Sequence, residues 1–395
     1  MVIEKLDNKG RGICFINNKI TFVENALPGE DVDVEIINEK KKYNEARVIK
    51  YNKKVSDRAC INCEYYGICG GCSLLHMDIG KELEFKIKKV EDILKKFGGI
   101  EYKIEEIISP NIYNYRNKAT FQVNKKLGYF KKRTNDLIEI DNCLLVDERI
   151  NKIIKQIKKF DLINIEQIVI RTSQNEIMLI IKSTGKIDDN LIGLDVDSIV
   201  INKKGIYKII KGPGYIIEEL GEYKFIVQPD SFFQVNSEAA KMLYDKVLEF
   251  ASLKGSEKVL DLYCGTGTIG SYISKYADSV LGVEINKYAI EDAIKNKKLN
   301  HIRNIDFICS DANNIDLTGF DIVIVDPPRS GLDSKTKEYL KTINPKKIVY
   351  VSCDPVTLAR DLKDLSEKYE VKDISLVNMF PRTEHVETIC LLKLK

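Results

Sequence analysis

Strong charge of one sign is missing from this 395-residue chain: 62 Lys and Arg stand against 59 Asp and Glu, a net charge of only +3. That excludes a uniformly basic protein, so any nucleic-acid surface must come from local clustering. No apolar run approaches the roughly 18–20 residues needed to span a bilayer, and no membrane partner is expected. The first twenty residues carry Glu4, Lys5, Asp7 and Lys9 with no apolar stretch of signal-peptide length, so no secretory signal is expected either. Trp is absent, which excludes nothing about the fold. There is no internal repeat and no low-complexity linker. What is present is 44% hydrophobic residues, enough for a sizeable core in two to three domains of about 150 residues each. The ten cysteines are expected in a reducing cytoplasm, serving metals or catalysis rather than disulfides.

Residues 1–53 read as short strands (GICFI, KITFVE, DVDVEII, EARVIKY) around a Pro28-Gly29 turn. This spacing predicts a small barrel, of which the oligonucleotide-binding fold is one form. A cysteine-glycine knot follows in RACINCEYYGICGGC, residues 58–72, and then a helix from about Asp78 to Phe97. Segment 102–230 reads as mostly strands around a helix near 147–160. After Pro229 a helix at 237–252 leads into alternating strands and helices, the pattern of an open, largely parallel α/β sheet.

Within that half, Gly265-x-Gly267-x-x-Gly270 follows a strand and opens a helix, and Glu284 ends the next strand. Such glycines let the backbone approach a ligand, and the carboxylate suits a ribose. This fits a nicotinamide dinucleotide as well as S-adenosylmethionine. Three acids favour the latter. Asp261 beside the loop suits a cationic methionine end better than a pyrophosphate. Asp311 follows the third strand, and Asp326-Pro327-Pro328-Arg329 ends the fourth, at the edge where such sheets bind ligands. Cys353 ends the fifth strand, where Asp354-Pro355 stop the strand and put the thiol at its rim. For Cys264, Cys309 and Cys390 an inert role in the core is preferred.

Taken in order, VENALPGEDV, CEYYGICGGC, YRNKATF, QPDSFFQVN, DLYCGTG, DPPRSGL, VSCDP and HVET resemble the bacterial RNA uracil-5-methyltransferases from end to end, specifically the iron–sulfur 23S ribosomal RNA branch. The resemblance implies an α/β and β protein in three parts: an OB-like TRAM barrel at 1–53, a central β-rich iron–sulfur domain at 54–74 and 108–230, and a Rossmann-like methyltransferase domain at 75–107 and 231–395. It makes Cys353 the nucleophile and Glu387 the general base, with Asp326 and Arg329 holding the target uracil. Gln234, Tyr263, Glu284, Asp311 and Asp326 become contacts of S-adenosylmethionine. A thiolate on carbon 6 of uracil would make carbon 5 nucleophilic enough to take the methyl group, and a base would then remove the carbon-5 proton.

The family pattern also places a 4Fe–4S cluster on Cys63, Cys69, Cys72 and Cys143. Here Cys60 adds a departure, creating Cys-x2-Cys-x5-Cys-x2-Cys, which leaves tetrahedral zinc open. The expected partner is RNA, 23S ribosomal RNA ahead of transfer RNA, with the chain a monomer. A silent RNA-binding protein and a dinucleotide oxidoreductase are the rivals from other classes. Arg116–Arg133 holds no acidic residue, and its lysines are interleaved with Phe121, Tyr129 and Phe130. It reads as an RNA surface with stacking rings; the alternative is a solvated strand with a core behind it. Of the neighbours Phe232 and Phe233, only one is expected to face a pocket.

Overall fold

The computed structural model describes residues 1–311 and 318–395. Its first sheet comprises β1 (Lys5–Leu6), β2 (Gly12–Ile16), β3 (Lys19–Glu24), β4 (Asp31–Glu39) and β5 (Tyr43–Lys53), in the order β1-β2-β3-β5-β4. Ile3, Cys14, Val23, Val32 and Ala46 fill a small core. The alternation in β4 holds only at its start. Val32 is buried, but Ile36 and Ile37 are exposed, because irregularities at Asp33/Val34 and Ile36/Asn38 shift its register against β5.

The cysteine segment then runs through turns to α1 (Ile79–Ile93), whose first turn is capped by Asp78 accepting from the Gly80 N–H at 2.9 Å. The last turn widens into a π-turn at Leu94–Gly98, and Gly99, at φ 67°, ends it. The short β6 (Ile107–Ile108) follows.

The central sheet contains β7 (Lys118–Asn124), β8 (Lys126–Phe130), β9 (Leu137–Glu139), β10 (Ile165–Thr172), β11 (Ile177–Ser183), β12 (Ser198–Lys203) and β13 (Ile206–Lys211), ordered β13-β12-β11-β10-β7-β8-β9. Amphipathic α2 (Glu148–Ile157) covers one face, packing Ile150 and Ile154 with Phe121, Ile168 and Leu179. The hairpin β14 (Ile216–Leu220) and β15 (Tyr223–Val227) connects this sheet to α3 (Ser237–Ala251).

The remaining chain forms β16 (Lys258–Leu262), α4 (Thr268–Ile273), β17 (Ser279–Glu284), α5 (Lys287–Leu299), β18 (Ile305–Cys309), β19 (Ile322–Val325), α6 (Ser334–Ile343), β20 (Lys347–Ser352), α7 (Pro355–Leu365), β21 (Tyr369–Val377) and β22 (Glu387–Leu394). The sheet order is β18-β17-β16-β19-β20-β22-β21-β6. Leu260, Val323, Val325 and Ile348 are fully buried, as helices cover both faces. Burial of each such side chain contributes about 1.5–3 kcal/mol. The strand order reverses between β16 and β19, a point where ligands bind at the carboxyl edge. Alone in this group, β22 runs antiparallel to both its neighbours. Its first residue therefore arrives at the same edge where β16, β19 and β20 end.

α1 packs on α7, so residues 79–93 lie against the C-terminal sheet rather than the central one. Among the described residues no helix is long and apolar enough to cross a membrane.

Candidate active site and cysteine cavity

The carboxyl edge gathers most of the residues singled out in the sequence. Tyr263 adopts φ 62°, Gly265 φ 54° and Gly267 φ 75°, coiling the chain tightly between β16 and α4. A Cβ on Gly267 would meet the Phe307 ring at 2.5 Å, so only glycine fits there. Buried Asp261 accepts from the Gly270 N–H at 2.9 Å, and its other oxygen has no hydrogen-bond partner among the described residues. Glu284 accepts from the Gly265 and Asn286 N–H groups at 3.3 and 2.8 Å, which fixes it across the loop. The Tyr263 hydroxyl meets Thr336 at 3.3 Å, and Asp311, half-buried after β18, faces the same tyrosine. Gln234 lies half-buried just before α3, its backbone carbonyl held by the Asn117 amide at 3.0 Å.

Cys353 is placed by two local causes. Asp354 caps α7, accepting from the Val356 and Thr357 N–H groups at 2.8 and 3.2 Å, while Pro355 starts the helix. The chain therefore turns sharply and leaves the thiol half-buried at the strand's end. Pairing of Ser352 with Thr388 puts Glu387 at the next register position, beside Cys353. Half-buried Asp326 and exposed Arg329 complete the group.

The electrostatics follow from crowding acids in a partly dry edge. Burial, then the Glu387 and Asp326 carboxylates, pushes the Cys353 thiol up to about 11, against the opposing pull of Arg329. Burial and then Asp326 raise Glu387 to about 8. Burial alone takes Asp326 to about 7, and burial with Asp326 and Glu284 nearby takes Asp261 to about 8. Such a row of carboxylates awaits a cation, and a sulfonium supplies one.

The strand carrying Glu387 is approached by a loop held from outside the sheet. Glu82 of α1 accepts from the Arg382 N–H at 2.9 Å, and buried Lys86 donates to Glu82 at 2.8 Å and to Asn378 at 2.6 Å. Ser73 accepts from the Glu384 N–H at 2.9 Å, and its own N–H donates to the Arg382 carbonyl at 3.1 Å. No local pattern signals this brace, because its partners lie about 300 residues apart.

Cys63, Cys69, Cys72 and Cys143 line one cavity of about 390 Å³, and burial raises the first three. Asn151 of α2 grips Cys143 at both ends, accepting from its N–H at 2.9 Å and donating to its carbonyl at 3.1 Å. Arg116 also lines the cavity, its Nε sealed from solvent and without a hydrogen-bond partner among the described residues. Cys60 is exposed, meets Asn62 and is absent from the cavity wall. Among the described residues no three His, Cys, Asp or Glu side chains are gathered as for a single bound ion.

Three expectations need correction. Phe121 is fully buried and stacks on Tyr129 at 4.9 Å, so it belongs to the core; Phe130 is exposed. In the basic stretch, Lys132 and Arg133 pair with Glu24 and Glu45 of the barrel at 3.0 and 3.1 Å, fastening two sheets together. Cys309 is exposed at the end of β18 rather than in the core. Phe232 is 73% exposed while Phe233 is buried.

This sheet, glycine loop and acidic edge define an S-adenosylmethionine-dependent methyltransferase. The tRNA (Uracil-5-)-methyltransferase profile matches residues 78–395 and the TRAM domain profile residues 2–49, and the chain belongs to this uracil-5 RNA methyltransferase family. An uncharacterized RNA methyltransferase of Clostridium tetani is 37% identical over 99% of this chain and 95% of its own length. One from Halalkalibacterium halodurans is 34% identical over 100% and 96%. The structure of Pyrococcus abyssi tRNA (uracil-54, C5)-methyltransferase with S-adenosyl-L-homocysteine superposes with a TM-score of 0.85 at 31% identity, covering 99% of this chain and 98% of that one.

Proposed function

We propose that the enzyme methylates carbon 5 of a uridine in 23S ribosomal RNA through a covalent bond from Cys353 to carbon 6. The carrying observation is the register that sets Cys353 beside Glu387, with Asp326 and Arg329 at the same edge. S-adenosylmethionine supplies the electrophilic methyl group when bound. Asp326 and Arg329 hold the polar edge of the flipped uracil, and the Cys353 thiolate adds to carbon 6. Addition leaves the ring as an enolate, whose carbon 5 attacks the methyl group; the methyl–sulfur bond breaks, its electron pair goes to sulfur, and S-adenosylhomocysteine leaves. Glu387 removes the carbon-5 proton, and the electron pair left behind expels the thiolate and restores the double bond. Gln234, Tyr263, Glu284, Asp311 and Asp326 form the S-adenosylmethionine site.

In this reading Cys63, Cys69, Cys72 and Cys143 hold a 4Fe–4S cluster. Four thiols around a single cavity suit that donor set, and the unpartnered Arg116 Nε suits the negative charge of four thiolates. The exclusion of Cys60 from the cavity wall counts against zinc on the Cys60–Cys72 set. The group would supply a rigid crosslink between the loops, since methylation of carbon 5 moves no net electrons. We read the enzyme as a monomer acting in the cytoplasm.

The similarity to the Pyrococcus abyssi transfer-RNA enzyme favours a second reading, transfer RNA as substrate. Mapping 5-methyluridine by mass spectrometry in both RNAs, with and without the gene, tests the two. Loss from 23S ribosomal RNA alone is expected; loss from transfer RNA alone overturns the first choice.

A further inference from the structure

Only one face of the central sheet is covered by α2. On the other face, Lys118 and Thr120 of β7 lie opposite Arg171 and Val169 of β10, Val169 lies opposite Ile180, and Gln167 leads through Lys182 to Asn202. Part of this face forms a cavity of about 210 Å³ with Val169 and Ile180 as its apolar floor. Lys118, Thr120, Gln167 and Tyr207 stand around it. No carboxylate forms an ion pair with Lys118 among the described residues. Asp230, in the same cavity wall, acts on both Lys118 and Arg171 and already accepts from the Tyr207 hydroxyl. Arg171, the register partner of Lys118, is 3% exposed and donates to the Ser231 carbonyl at 2.6 Å, while its Nε has no hydrogen-bond partner among the described residues. Burial, then Arg171, lowers Lys118 to about 8. Two adjacent, partly desolvated cations, neither in an ion pair among the described residues and both leaning on the one Asp230 carboxylate, oppose folding, and an incoming anion relieves that cost.

The cavity is also close to the reacting edge. Pro229 and Asp230 belong to its wall, and Gln234 of the S-adenosylmethionine site follows four residues later, at most about 14 Å along the chain. The exposed Phe232 ring lies between them.

We propose that this cavity receives an unpaired nucleotide of the RNA substrate flanking the target uridine, an inference that rests on the RNA-methylation reading. Its phosphate meets Lys118, its base lies on Val169 and Ile180, and its polar edge is read by Thr120 and Gln167. Neither of those side chains has an intramolecular hydrogen bond among the described residues. Such a pocket selects the sequence or shape around the target rather than the target itself.

The test uses the full-length enzyme, radiolabelled S-adenosylmethionine, and transcripts of 23S ribosomal and transfer RNA. Lys118→Gln is expected to raise KM for RNA about tenfold and to reduce the salt slope of RNA binding by about one. Thr120→Val and Gln167→Ala are expected to raise KM by about fivefold with the salt slope unchanged. Affinity for S-adenosylmethionine stays at the wild-type value in all three. Lys118→Met, which keeps the side chain's bulk, should repeat the Lys118→Gln result if that variant folds poorly. Folded variants with wild-type KM and slope, or with weakened S-adenosylmethionine binding, overturn the pocket. A wild-type enzyme inactive on every RNA overturns the methylation reading instead.

Discussion

Two groups of half-buried thiols sit in opposite surroundings. Cys353 stands among carboxylates: burial, then Glu387 and Asp326, raises it, while Arg329 and a backbone hydrogen bond oppose them. Cys63, Cys69, Cys72 and Cys143 stand among one another, with Arg116 in the same wall. In the proposed reaction, a lone thiol among acids becomes reactive once a cation and substrate arrive, and must release its bond again. Thiols gathered around a cavity offer several ligands at once and stay bound. The lesson is that the neighbours, not the residue type, assign the chemistry.

The sharpest way to break that contrast is Cys353→Ala, expected to reduce turnover by roughly 10⁴-fold or more while S-adenosylmethionine still binds by calorimetry. Retained turnover would remove the covalent role. Glu387→Gln should slow product formation by about 10²–10⁴-fold and accumulate protein–RNA adduct on denaturing gels, because elimination waits for the proton. Cys72→Ser should lower the iron content of purified enzyme and reduce unfolding stability by roughly 3–5 kcal/mol, leaving Cys353 alkylation unaffected.

Acidity gives a subtler separation. Asp326, Asp261 and Glu387 have folded values raised to about 7, 8 and 8, above those of the unfolded chain. Their contribution is therefore full below about pH 4 and is lost as pH climbs towards 8. The thermal shift given by S-adenosylmethionine should grow over that window, since its cation meets ionised carboxylates. A shift independent of pH would contradict the electrostatic account. The smallest effect is expected at Cys60→Ala, within about 0.5 kcal/mol in stability and without change in iron content.

The catalytic half was legible where local patterns carry it. The glycine loop, Glu284 and the Asp354-Pro355 stop all lie within a few residues of the strands that present them. Glu387 was legible only through family resemblance. Nothing local reveals that β22 inserts antiparallel between β20 and β21, and that long-range register alone brings Glu387 to Cys353. Phe121 misled for the related reason that a strand alternates faces. Its neighbours Thr120 and Gln122 take the opposite, half-buried face while the ring points to α2. The brace from Glu82 and Lys86 to the loop before β22 was invisible because charged residues on a helix normally read as solvated.

The most direct test is to incubate the wild-type enzyme with S-adenosylmethionine and 5-fluorouridine-containing substrate RNA, then digest and sequence the adduct by tandem mass spectrometry. Fluorine at carbon 5 cannot leave as a proton, so a stable, methylated nucleotide attached to Cys353 is expected. An adduct on a different residue, or methylated RNA released without any adduct, would contradict the account.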